Sequence, residues 1–135
     1  MYWGDTGSGK SHRAWEEAGD DAYSKDPLTK WWDGYQGQTN VVIDEFRGVV
    51  AVSHLLRWFD KYPCSVETKG GKQPLCAKNI WITSNLAPTA WYPELDAESF
   101  RALERRLIIT HFNKPFGSYF FYLLCELRED IAHQE

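Results

Sequence analysis

Gly4-Asp5-Thr6-Gly7-Ser8-Gly9-Lys10-Ser11 matches G-x-x-x-x-G-K-[ST]. Such a stretch joins a strand to a helix, and its glycines let backbone N–H groups curl around phosphate oxygens. Gly4, Asp5, Thr6, Gly7, Ser8, Gly9, Lys10 and Ser11 are therefore the candidate nucleotide-binding residues. Lys10 supplies a cation for β- and γ-phosphates, and the Ser11 hydroxyl can ligate Mg²⁺. A helix is expected over about Lys10–Ala18, stopped by Gly19 and aiming its N-terminus at the same anion.

Val41-Val42-Ile43-Asp44-Glu45-Phe46 is a β-branched run followed by two acids. The run reads as a buried parallel strand. Its C-terminal end is the edge where α/β sheets bind ligands. There Asp44 can hold the shell of the Mg²⁺, and Glu45 can orient or deprotonate an attacking water. Two acids after an apolar strand are ordinarily a solvated turn; following a phosphate loop, they read as its partner. Ile80-Trp81-Ile82-Thr83-Ser84-Asn85 continues the pattern, with the Asn85 amide placed just past a buried strand to reach the γ-phosphate and the water.

Other elements follow from caps and turns. Ser53 is expected to cap a helix through about Tyr62, with Leu55, Leu56 and Phe59 on one face and Pro63 as the stop. Val66-Glu67-Thr68 and Leu75-Cys76-Ala77 flank Lys69-Gly70-Gly71-Lys72, a hairpin turn signal. Asp96 can cap a helix from Ala97 to about Arg106, and Leu107–Thr110 reads as a further strand. Arg105 and Arg106 close that helix, where cations complement its dipole. Residues 19–40 are polar and turn-rich around an aromatic knot, Lys30-Trp31-Trp32-Asp33-Gly34-Tyr35. Strands alternating with helices predict an α/β fold, a mostly parallel central sheet flanked by helices. Residues 1–112 form the expected domain, with a short strand leading into Gly4. The tail 113–135 reads as helical from Ser118, and its apolar start would pack on the sheet or on a partner.

Composition narrows the function classes. The chain has 135 residues, net charge −4, and 43 % hydrophobic side chains. That is one domain with a real core, not a disordered tail. The mild acidity excludes nucleic-acid binding by bulk charge and demands a local basic patch. One exists: Lys61, Lys69, Lys72 and Lys78 against Glu67 make residues 61–78 net +3. Lysines on a tight turn are suited to phosphate contacts. Cys64, Cys76 and Cys125 form no C-x-x-C pattern, so neither a disulfide framework nor a zinc site is expected, and a reducing intracellular compartment is. No signal peptide opens the chain. No apolar run reaches the roughly 18 residues of a membrane span.

The order of parts resembles the helicase domain of replication-initiator proteins of circovirus-like, circular single-stranded DNA viruses. The carriers are the phosphate loop, then VVIDEF, ETKGGKQP, IWITSN and ALERRL. The likeness is close at Tyr2-Trp3-Gly4 and in the aromatic knot, and covers about residues 1–112. Such domains are superfamily 3, AAA+-like P-loop ATPases related in motif to small viral RNA helicases. The resemblance implies that Lys10 and Ser11 belong to Walker A and Asp44 and Glu45 to Walker B, with Asn85 as the sensor. It implies that Lys69 and Lys72 lie on a hairpin gripping single-stranded DNA, with RNA as an alternative. It implies that Arg105 or Arg106 reaches a neighbouring subunit's ATP in a hexameric ring. It further implies an Mg²⁺-dependent ATPase acting in rolling-circle replication, in the host nucleus. The family's nicking domain and oligomerisation segment have no counterpart here, so no nuclease activity is expected. Two other readings stay open: a fragment that binds ATP and partner subunits without unwinding, and a P-loop kinase. A kinase would need lid arginines and an acceptor pocket, where this sequence has a Lys-Gly-Gly-Lys hairpin.

Overall fold

The computed structural model describes residues 1–112; the tail expected at 113–135 lies outside the described residues. In chain order the elements are β1 (Tyr2–Gly4), α1 (Lys10–Ala18), β2 (Tyr23–Ser24), β3 (Asn40–Ile43), α2 (Val52–Trp58), β4 (Ser65–Thr68), β5 (Gly71–Pro74), β6 (Asn79–Ser84), α3 (Pro88–Trp91), α4 (Ala97–Arg105) and β7 (Thr110–Phe112). Five strands form one sheet in the order β2-β3-β6-β1-β7, and every pair is parallel. β4 and β5 form a separate antiparallel hairpin.

Alternation along β3 divides the core between the two faces of the sheet. Val42 packs with Tyr2, Phe112, Ala14 and Ala18 on the α1 side. Val41 and Ile43 face the larger cluster of Trp32, Tyr35, Leu55, Trp58, Ile82 and Leu103. Val41, Val42 and Ile43 are all essentially buried, as a β-branched strand covered on both faces must be. α1 has the expected bounds, ended by Gly19 at φ 87°. α4 begins at the expected Asp96, whose carboxylate accepts from the Ser99 N–H at 2.9 Å.

Four expectations need correction. Ser53 is not the cap of α2: Ala51 holds that position without a side-chain cap bond. That helix ends at Trp58 rather than near Tyr62, because the Asp60 carboxylate takes the Lys61 N–H at 2.8 Å and turns the chain. The second hairpin strand is Gly71–Pro74, not 75–77. Thr68 pairs with Gly71, so Lys69-Gly70 forms a two-residue turn. The last strand begins only at Thr110, opposite Tyr2. Leu107–Ile109 lacks a β1 ladder beside it, and the Met1 amine reaches the Ile108 carbonyl instead.

The aromatic knot clamps the hairpin. Trp32, fully buried, stacks on Tyr23 and meets Tyr35 and Trp58 edge-on. Its backbone N–H donates to the Glu67 carbonyl at 2.9 Å. The Lys69 N–H donates to the Asp33 carboxylate, and the Cys76 N–H to the Tyr35 hydroxyl, both at 2.9 Å. Beneath this knot Lys25 is buried, its amine donating to the Asp26 and Thr29 carbonyls and lying 5.2 Å from the Trp58 ring. Burial lowers its pKa from 10.5 to about 8. Between those values the unfolded chain holds the extra proton, so stability contributed here rises with pH over that window. Lys25→Met, similar in volume and uncharged, should remove up to about 3 kcal/mol of that rise. Urea unfolding of both proteins from pH 7 to pH 10.5 checks it: parallel curves would refute the buried amine.

Candidate functional site

The phosphate loop joins β1 to α1. Gly4 sits at φ 153°, and a Cβ there would lie 2.0 Å from the Phe112 carbonyl oxygen, so only glycine lets β7 close against the loop. Lys10, buried like Ser8, donates to the Asp5 carbonyl at 2.9 Å. Burial lowers the Lys10 pKa, and the Asp5, Asp44 and Glu45 carboxylates oppose that shift. The Ser8 hydroxyl is buried with no hydrogen-bond partner. A buried hydroxyl without a partner inside a glycine-rich loop fits a phosphate oxygen as its partner.

Register brings the acids to this loop. Ile43 is opposite Ile82, which sets Asp44 beside Thr83 one residue on. Asp44 Oδ1 accepts from Ser11 Oγ at 2.7 Å and from the Thr83 hydroxyl. Thr83 Oγ1 also accepts the Glu45 N–H at 2.9 Å. One threonine thus holds the Asp44 carboxylate and the Glu45 backbone, a role without a local sequence signal. Glu45 has φ 59°, and no other non-glycine among the described residues has positive φ. That conformation costs an L-residue about 1–2 kcal/mol, and such strain concentrates at functional sites.

Thr6, Lys10, Ser11, Glu45 and Asn85 line one pocket of about 200 Å³ at the C-terminal ends of the strands. The Ser11 hydroxyl and the Asp44 carboxylate are hard oxygen donors that fit Mg²⁺, an ion that keeps most of its waters and takes phosphate oxygens as further ligands. Among the described residues no group of three or more His, Cys, Asp or Glu could hold a metal by itself.

Arg105 and Arg106 are not brought to this pocket. They border a larger cavity of about 890 Å³ at the opposite end of the sheet, with Lys61 and Lys78 on its rim. That cavity lacks a phosphate loop and paired acids, so the chemistry points to the smaller one. Arg106 is 3.5 Å from Asp60 and donates to the Ala102 carbonyl, while Arg105 is exposed. The basic stretch is therefore split: Lys69 and Lys72 are exposed on the hairpin, and Lys61 and Lys78 border the cavity.

The RNA helicase family model matches residues 1–86. The replication-associated protein of porcine circovirus 1 is 45 % identical over 115 residues, covering 84 % of this chain and 37 % of that protein. Its counterpart in porcine circovirus 2 is 47 % identical over 105 residues, covering 77 % and 33 %. That of human associated cyclovirus 1 is 41 % identical over 117 residues, covering 80 % and 41 %. The chain thus spans between about a third and two-fifths of the length of these relatives.

Proposed function

The chain belongs to the RNA helicase family, and on that premise we propose that it is the ATP-hydrolysing helicase domain of a replication-associated protein acting on single-stranded DNA during rolling-circle replication. The observation that carries this reading is the Ser11–Asp44 hydrogen bond beside Glu45, Lys10 and Asn85 on one pocket. The loop N–H groups and Lys10 hold the β- and γ-phosphates. Ser11 and Asp44 would hold the Mg²⁺ that accompanies ATP, an ion that would neutralise charge on the phosphates. Glu45 orients the attacking water and accepts its proton, and the Asn85 amide bridges water and γ-phosphate. Lys69 and Lys72 contact DNA phosphates. Each active site takes an arginine from the next subunit of a homo-oligomer.

Single-stranded DNA should stimulate ATP turnover. Lys69→Ala and Lys72→Ala should each raise the DNA concentration needed and flatten the log–log salt dependence of DNA binding by roughly 0.7. ATP binding should stay nearly intact in both. Turnover indifferent to DNA, with unchanged salt slopes, would refute the helicase reading.

A further inference from the structure

Trp31 differs from its neighbour Trp32 in every respect that packing can explain. Trp32 is fully buried. Trp31 is partly exposed and joins neither hydrophobic core. Its position is nevertheless fixed. The Lys30 ammonium lies 4.8 Å from the Trp31 ring centroid and 3.0 Å from Glu67 Oε2, so one cation ties the indole to the side of β4. Glu67 is opposite Lys72 in the hairpin. The bonds from Trp32 to Glu67 and from Lys69 to Asp33 hold the chain immediately after Trp31 against the same hairpin.

We propose that Trp31 is a stacking platform for a base of single-stranded nucleic acid whose phosphates Lys69 and Lys72 contact. The inference rests on the hairpin reading above and adds a second chemistry to it. A flat aromatic face beside cations takes any base by its π-surface, without reading sequence, while the lysines take the backbone. A partly exposed indole outside the core, held by a salt-bridged lysine at the hairpin's flank, has the placement such a platform requires.

The test compares an oligothymidylate with an abasic strand of equal length and phosphate count, by fluorescence anisotropy. The wild-type chain should bind the thymidylate about tenfold more tightly, the weight of one stacked base. Trp31→Ala should bind both strands as the wild type binds the abasic one. Trp31→Leu, which keeps apolar bulk but has no flat face, should lose the preference too, and Trp31→Phe should retain part of it. Equal wild-type affinity for the two strands would overturn the proposal, whatever the variants do. So would a thymidylate preference that survives in Trp31→Leu. Failure of the hairpin reading looks different: Lys69→Ala and Lys72→Ala would leave both affinities and both salt slopes unchanged.

Discussion

Lys10→Ala is expected to lower ATP turnover by at least about 10²–10³-fold, the usual loss when one preorganised charge-stabilising group leaves an active site. Lys10 is the only cation within Gly4–Ser11, and no neighbour can replace it. Arg13 is paired with Glu17 at 3.3 Å on the next turn of the helix. His12 reaches toward Glu16 at 3.2 Å. Removing the ammonium also unbalances the charges around it. Asp5, Asp44 and Glu45, which favour its charged form, would face incoming phosphates without the cation that now offsets them. Phosphate binding should therefore weaken together with turnover. Lys10→Arg should not rescue it, because a planar guanidinium does not fit a loop wound around a compact ammonium. Turnover and fluorescent-nucleotide binding, measured side by side, check the prediction. A variant that hydrolyses ATP at the parent rate would show that this loop is not the phosphate site.

The parts of this site that were legible in the sequence are those set by local chemistry. Gly9 in the left-handed region and Gly19 mark both ends of α1 because glycine alone enters such backbone cheaply. Val41–Ile43 and Ile80–Ile82 declare themselves as strands through β-branched runs. Pairing distant in sequence was not legible. Thr83 reads as an ordinary strand residue until the β3–β6 register sets it beside Asp44. The left-handed backbone of Glu45 follows from that same clasp. Leu107–Ile109 looks like a strand by composition, but a strand needs a partner, and β7 finds β1 only from Thr110. The two arginines are equivalent in sequence; Asp60 distinguishes them by engaging Arg106. The excess of aromatics suggested core packing, yet how the knot clamps the hairpin depended on bonds such as Lys69 to Asp33, 36 residues apart.

Arg105→Ala should reduce turnover by about 10³–10⁵-fold, the range for arginines that stabilise phosphoryl-transfer transition states, while leaving nucleotide binding in place. The reason is geometric. Arg105 lies at the N-terminal end of the parallel strands and the phosphate loop at their C-terminal end, so this cation does not line its own chain's nucleotide pocket. The two ends are electrically complementary. Lys61, Lys78, Arg105 and Arg106 outnumber Asp60 at one, whereas Asp5, Asp44 and Glu45 surround Lys10 at the other, where a nucleotide's phosphates would add negative charge. Head-to-tail contact between copies would bring them together, and a heterologous contact of this kind closes into a ring when its rotation permits. Arg106 is held by Asp60 and the Ala102 carbonyl, which leaves the exposed Arg105 as the group able to reach across. Specific activity should then rise with protein concentration. A Lys10→Ala chain lacks the phosphate cation but donates its arginine; an Arg105→Ala chain has the reverse defect. Mixed together they should recover part of the activity that each lacks alone. Full turnover by dilute monomer, or a mixture that stays inactive where the wild type assembles, would show that the site is not shared between subunits.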